Sequence, residues 1–269
     1  MNWDDRETIY QQAKGWVLEA GKEIRDNISD PLTVTTKSNP NDLVTTMDSD
    51  TEYFFMTRIK ETFPDHRIIS EEGYGDEVSA LDGTVWIIDP IDGTMNFVHQ
   101  KRNFAISVGI YHDGIGEIGL IYDVMADVLY SAKKGEGAYR NEKGLLPLNK
   151  HKHFKEAILS LNHFWLCENR LVNETVMQNL VKTVRGTRTY GSAALEFAAV
   201  AEGIMDGYMT MELAPWDIAA GIIIVDEVGG NTMNAFGDSV NLLQKGSVLT
   251  CNPAIQENIV EDYIKKGRK

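Results

Sequence analysis

Apolar residues recur at Ile9, Ala13, Trp16, Val17, Ala20 and Ile24, a spacing that predicts a long amphipathic helix near the start of the chain. An Asp4 to Glu7 pair ahead of it resembles a capping box. A turn-rich stretch, Ser38-Asn39-Pro40-Asn41-Asp42, leads to the short apolar pair Leu43-Val44. Ser49-x-x-Glu52 then predicts the cap of a second helix with Phe55, Met56, Ile59 and Phe63 on one side, ended by Pro64.

The continuous apolar run Val85-Trp86-Ile87-Ile88 is halted by Asp89-Pro90, which predicts a buried strand whose end delivers a carboxylate to a cleft. Ile68-Ile69 before Ser70-Glu71-Glu72-Gly73 reads likewise. Between Phe104 and Tyr139, apolar stretches alternate with Gly, Asp and Asn turns, so a multistranded, largely antiparallel sheet is expected. The second half alternates strands at Ala157-Leu161 and Ser247-Thr250 with helices at about 172–183, 192–202, 217–228 and 253–265. Asn252-Pro253 marks a helix start, with asparagine as cap and proline in the first turn. The sequence shows no internal repeat, low-complexity tract or long linker. A division near residue 145, into 1–145 and 146–269, therefore reads as two layers of one compact unit.

The chain has 269 residues and 43% hydrophobic content, ample for a sizeable core. Its two cysteines, Cys167 and Cys251, form no metal-type pair, which argues against a disulfide framework or zinc site and points to a reducing compartment, the cytoplasm. The N-terminus lacks a basic segment followed by an apolar run, and no stretch is long and uncharged enough to span a bilayer. A net charge of -14 without a compensating Lys/Arg stripe disfavours nucleic acid as a partner. Acidity alone says little about metals, so position must decide.

Asp89 and Asp92 bracket Pro90-Ile91 at the end of the predicted strand and are followed by Gly93-Thr94 and a short helical turn through Met95-Asn96-Phe97. Proline stiffens the bend so that two acids can face one pocket, the Ile91 carbonyl offers a further hard ligand, and glycine lets a phosphate approach backbone N–H groups. Asp-Gly pairs are also frequent in ordinary turns. Asp48 and Asp217 each have a local alternative as helix caps, Glu71 as a solvated loop acid, and Thr94 as a turn hydroxyl.

The whole string from Trp86 to Phe97 closely resembles the signature of the inositol monophosphatase family. Asp42-Leu43-Val44-Thr45-Thr46-Met47-Asp48, Ile69-Ser70-Glu71-Glu72-Gly73, Gly191-Ser192-Ala193-Ala194 and Trp216-Asp217-Ile218-Ala219-Ala220-Gly221 resemble further family segments in the same order. The resemblance implies an α+β fold, the layered αβαβα sandwich of the inositol monophosphatase and fructose bisphosphatase type. It implies magnesium-dependent phosphomonoester hydrolysis by metal-activated water, two or three Mg2+ ions, lithium sensitivity and a homodimer. Carried over, Glu71, Asp89, the Ile91 carbonyl, Asp92 and Asp217 are the metal ligands. Asp48, Thr94 and Glu71 are the catalytic residues, and Asp92, Gly93, Thr94, Ala193 and Asp217 bind the substrate.

The substrate is expected to be a small phosphorylated alcohol, inositol monophosphate by family default. The family's inositol phosphatases often carry a substrate-binding glutamate seven residues before the second-signature aspartate, where this chain has Thr210, with Glu212 displaced by two residues. Action on the 2′-phosphate of NADP(H), on fructose 1,6-bisphosphate or on 3′-phosphoadenosine nucleotides is therefore an alternative, as is a mainly regulatory binding role. Arg185, Arg188 and Lys182 could assist a larger anion. Lys37 matches a basic residue near the family's metal site. The histidines form no ligand set, and Met205, Met209 and Met211 read as packing residues.

Overall fold

The computed structural model describes residues 1–29, 34–36 and 43–269. Lys37 and the turn at 38–42 lie outside the described residues. In chain order the elements are α1 (Trp3–Asn27), β1 (Val34–Thr36), β2 (Leu43–Thr45), α2 (Thr46–Thr62), β3 (Arg67–Ser70), β4 (Thr84–Asp92), α3 (Thr94–Gln100), β5 (Ala105–His112), β6 (Ile115–Asp123), β7 (Val128–Lys133), β8 (Ala138–Arg140) and β9 (Lys143–Gly144). They continue with β10 (Ile158–Leu161), α4 (Glu174–Thr183), β11 (Gly186–Arg188), α5 (Ala193–Ala201), β12 (Gly207–Leu213), α6 (Pro215–Glu227), β13 (Asn231–Met233), β14 (Gly246–Cys251) and α7 (Pro253–Glu257). A π-helical stretch, Asn258–Ile264, and the short α8 (Lys265–Gly267) end the chain.

The two larger sheets and three helical layers stack as αβαβα, and β1 and β2 form a separate antiparallel pair. The first sheet runs β3-β4-β5-β6-β7-β8-β9, parallel only between β3 and β4. The second runs β11-β10-β12-β14-β13, with β10 parallel to β11 and β12. α1 and α2 cover the outer face of the first sheet, where all six periodic residues of α1 are buried with Phe55, Ile59, Trp86 and Ile88. α5 and α6 lie between the sheets; Phe197, Ile218, Ile223 and Ile224 pack there against Val85, Ile87 and Ile121. α4 and the C-terminal helical segments close the far side over Leu159, Met209 and Leu249. Met205 and Met209 are core residues, as their sequence context suggests.

Close approach of the central layer depends on small residues. A Cβ at Gly109 would come within 2.7–2.8 Å of Ala219 and Ala220 atoms, so only glycine lets β5 pass beneath α6 at this spacing. That contact sets the height of the α6 N-terminus, which carries Asp217, over the β4 end, which carries Asp89 and Asp92.

Both sequence-predicted N-terminal caps are displaced. α1 is capped by Asn2, whose Oδ1 accepts the Asp5 N–H at 2.9 Å, not by the Asp4 to Glu7 pair. α2 begins one turn early, at a reciprocal box between Thr45 and Asp48 rather than Ser49 and Glu52. Thr45-x-x-Asp48 offers the same chemistry, and Glu52 is taken instead by the turn after β3, where it accepts from Ser70, Glu72 and Tyr74. The strand expected to stop at Asp89 keeps its pairing to Asp92 across an irregularity between these residues. Such a bulge re-aims side chains at a strand end. The helix expected over 253–265 is interrupted by the π-helical stretch.

Candidate metal centre

The β4 bulge supplies the first two acids. Asp89 is 1% exposed and its Oδ1 accepts the Ile91 N–H at 3.0 Å, which closes a tight turn around Pro90. Asp92 is gripped from across the molecule by the turn that starts α5. Ser192 Oγ and the Ala194 N–H donate to its Oδ2, the latter at 2.8 Å, and the Ala193 N–H donates to Oδ1 at 3.2 Å. The 190–194 turn is tied in turn to α3, because Asn96 Nδ2 donates to the Tyr190 carbonyl at 2.7 Å and to that of Asn103 at 2.8 Å.

Asp217 enters from the first turn of α6. Pro215 occupies the first turn and leaves no N–H to satisfy, and Asp217 Oδ2 accepts the Ala214 N–H at 2.6 Å. Oxygens of Asp89, Asp92 and Asp217 converge within 4.8 Å of one another. Asp48 and Thr94 meet beside this cluster. Asp48 Oδ2 accepts from Thr45 N at 2.9 Å and Thr45 Oγ1 at 2.5 Å, while Oδ1 faces Thr94 Oγ1 at 3.3 Å. The Thr94 hydroxyl has a second acceptor in the Ile91 carbonyl, at 3.1 Å.

For Asp48 and Asp217 the capping role and membership of the acid group therefore coexist. In each, Oδ2 secures the helix start; Asp48 keeps Oδ1 for Thr94, and Asp217 faces Asp89 and Asp92. A local structural role does not compete with the site; it fixes the rotamer that the site uses.

Electrostatically the arrangement is under tension. Burial pushes the Asp48 carboxyl up to about 6, opposed by the Thr45 hydrogen bonds and reinforced by the Glu71 charge. Burial likewise takes Asp92 up to about 6, against the pull of Ser192, Ala194 and Ala193. Asp217 is raised to about 8 by burial and then by the Asp92 charge. Asp89 is raised well above the carboxylate range by burial and by the charges of Glu71, Asp92, Asp217 and Asp48. Among the described residues no Lys or Arg side chain pairs with any of these four aspartates. Hard oxygen donors that destabilise one another's ionised form, with no cationic side chain among the described residues to relieve them, suit a divalent cation of the magnesium type.

Glu71 lies in the turn after β3, outside the tight three-acid contact, and its charge acts on all four aspartates. Gly93 caps α3 at φ 96°. Ala193 is buried with its N–H committed to Asp92. Thr210 accepts from Asn162 Nδ2 at 3.0 Å, whereas Glu212, within the register shift between Thr210 and Leu213 in β12, is drawn into an ion pair with Arg170. Arg185 pairs with Glu156 at 3.5 Å, and Arg188 donates to the Thr187 carbonyl at 2.7 Å.

The sequence reads Glu52 only as a helix cap, and gives no separate role to Asn96 or Glu196. Glu196 is 2% exposed on α5 and accepts the Tyr190 N–H at 2.6 Å, holding the 190–194 turn from behind. Asn96 stands inside the signature string, the one local signal available; the other two reveal their roles only through the turns they hold, 70–74 for Glu52 and 190–194 for Glu196.

A layered αβαβα sandwich with a buried cluster of hard oxygen donors between its sheets is the framework of metal-dependent phosphomonoesterases. The chain belongs to the inositol monophosphatase family, whose profile matches residues 5–267. It is 56% identical over 263 residues to the inositol-1-monophosphatase of Bacillus subtilis (strain 168), covering 98% of each chain. The inositol monophosphate-bound crystal structure of SaIMPase-II is 41% identical, with a TM-score of 0.86 over 96% of this chain and 94% of that one. An IMPase/NADP phosphatase complexed with Mg2+ and phosphate is 26% identical, with a TM-score of 0.87 over 96% of this chain and 95% of that one.

Proposed function

We propose that the protein is a magnesium-dependent phosphatase that hydrolyses inositol monophosphate. The observation that carries this reading is the convergence of Asp89, Asp92 and Asp217 within 4.8 Å, beside the Asp48–Thr94 pair. Glu71, Asp89, the Ile91 carbonyl, Asp92 and Asp217 are the donors that would hold two or three Mg2+ ions. Bound magnesium neutralises phosphate oxygens, acidifies a coordinated water and stabilises the leaving oxygen.

The chain's own residues do the positioning. With its proton directed to Asp48 Oδ1, the Thr94 hydroxyl turns a lone pair outward to accept from the attacking water. Burial of Asp48 favours proton uptake, so the carboxylate draws proton density from threonine as the water is consumed. The N–H groups of Gly93 and Thr94 hold a phosphate oxygen and stabilise charge as it develops. Asp92, Ala193 and Asp217 line the alcohol side. The halves 1–145 and 146–269 work as one unit in this scheme, since Asp92 and Asp217 come from different halves.

A second reading concerns the alcohol. The wall position expected to hold a carboxylate carries the neutral Asn162–Thr210 pair, and Glu212 is engaged by Arg170. A neutral wall grips a polyol hydroxyl less strongly and tolerates other leaving groups, which favours activity on the 2′-phosphate of NADP(H), on fructose 1,6-bisphosphate or on 3′-phosphoadenosine nucleotides. Lithium sensitivity, a cytoplasmic location and a homodimer complete the proposal. No helix among the described residues is long and apolar enough to cross a membrane.

The test is phosphate release from inositol 1-phosphate, fructose 1,6-bisphosphate, NADP and 3′-phosphoadenosine 5′-phosphate, with and without magnesium. Inositol 1-phosphate is expected to be turned over fastest. Faster release from another member would replace the substrate, and no release from any by folded, metal-loaded protein would overturn the enzymatic reading in favour of a regulatory one.

A further inference from the structure

Glu52 is a buried acid for which the proposed chemistry has no use. It lies on α2 one turn beyond Asp48, 1% exposed, and the α2 cap formed by Thr45 and Asp48 does not involve it. Its carboxylate closes instead on the turn that follows β3. Oε1 accepts the Ser70 hydroxyl at 2.7 Å and the Tyr74 N–H at 2.8 Å, and Oε2 accepts the Glu72 N–H at 2.6 Å.

These three donors flank Glu71 on both sides. The far end of the same turn is closed by Asp76, which accepts the Ile68 N–H at 2.9 Å and returns its own N–H to the Ile68 carbonyl at 2.7 Å. A carboxylate that accepts three hydrogen bonds makes a charge-assisted clasp, stronger than neutral bonds of the same length. Glu71 lies outside the tight contact of Asp89, Asp92 and Asp217, so its reach toward them depends on where this turn is held.

We infer that Glu52 is a positioning residue for Glu71, fixing the 70–74 turn so that the Glu71 carboxylate faces the acid cluster. The inference rests on the proposed role of Glu71 as a metal donor. Glutamine at position 52 keeps the size but replaces one acceptor oxygen with an NH2 group, which must oppose a donor of the turn. Groups that orient a metal ligand in this way are felt in metal affinity, not only in stability.

The experiment is a double-mutant cycle of Glu52→Gln and Glu71→Gln, read by calorimetric Mg2+ binding without substrate, by kcat and KM, and by thermal midpoint in EDTA. Glu52→Gln is expected to weaken Mg2+ binding about tenfold and to lower kcat with little change in KM. In the Glu71→Gln background it should add less than about twofold, because the group it positions is already gone. If Glu52→Gln fails to fold, Glu52→Asp, which keeps the charge but withdraws it by one methylene, takes its place in the cycle. Equal losses in both backgrounds, or a lowered midpoint with Mg2+ affinity unchanged, would make Glu52 a structural buttress and overturn the inference. Unchanged Mg2+ binding by Glu71→Gln alone would overturn it at its premise.

Discussion

Thr94 Oγ1 lies 3.3 Å from Asp48 Oδ1, although 46 residues separate them, and the second oxygen of Asp48 is locked by Thr45. The carboxylate therefore cannot rotate away without opening the start of α2. The same Thr94 proton can turn to the Ile91 carbonyl at 3.1 Å, so the hydroxyl has a resting acceptor and a working one.

Loss of this hydroxyl should fall on turnover. Thr94→Ala is expected to lower kcat by about 100-fold to 10,000-fold, and Asp48→Asn by a similar factor, with KM changed much less. Thr94→Ser keeps the hydroxyl and should stay within about tenfold of the parent. Steady-state kinetics at saturating magnesium check this; an unimpaired Thr94→Ala enzyme would remove Thr94 from the mechanism.

The acid cluster predicts an inverted pH dependence of stability in EDTA. Asp48, Asp92, Asp217 and Asp89 are all raised in the folded protein above their unfolded values near 3.9. Between those limits the folded state binds more protons than the unfolded one, so stability is highest below about pH 4 for these groups and falls as pH rises through about 6 and then 8. Thermal midpoints in EDTA should drop from pH 5.5 to pH 8.5 as far as these four groups dominate. Magnesium must displace the same protons, so its affinity should climb over that interval and its presence should flatten the drop. A metal-free midpoint that rises steadily to pH 8.5 would contradict the assigned shifts.

Gly93 is held by geometry as much as by chemistry. Its φ of 96° is costly for other residues, and an added Cβ would meet the Gly191 carbonyl and Ser192 Cβ at 3.2 Å. Gly93→Ala is expected to cost about 1–3 kcal/mol of stability and to impair activity further by pushing the 190–194 turn off Asp92. Urea unfolding followed by kinetics on the folded fraction separates the two effects.

The legible parts of this protein were those written locally. The apolar run Val85–Ile88 ending in Asp89-Pro90 announced a buried strand with an acid at its tip, and the spacing of Asp92 announced a partner. The capping signals were ambiguous because Thr45-x-x-Asp48 and Ser49-x-x-Glu52 satisfy the same pattern four residues apart, and only the tertiary hydrogen bonds that draw Glu52 to the 70–74 turn separate them. The tertiary contacts of Glu52 and Glu196 were illegible for a deeper reason. Each accepts backbone N–H bonds from a turn outside its own helix, and any residue but proline there presents the same donor. The π-helical stretch at Asn258–Ile264 breaks a pattern that reads as continuous helix.

The most direct test is magnesium-dependent phosphate release from inositol 1-phosphate by the parent protein and by Asp89→Asn, with folding followed by circular dichroism. The parent should release phosphate along a saturable magnesium curve and stop in EDTA. Asp89→Asn should stay folded, with a midpoint in EDTA no lower than the parent's because asparagine is neutral without the proton that buried Asp89 has to take up, and lose about 100-fold or more in turnover. A folded Asp89→Asn protein with full activity at limiting magnesium would contradict the account.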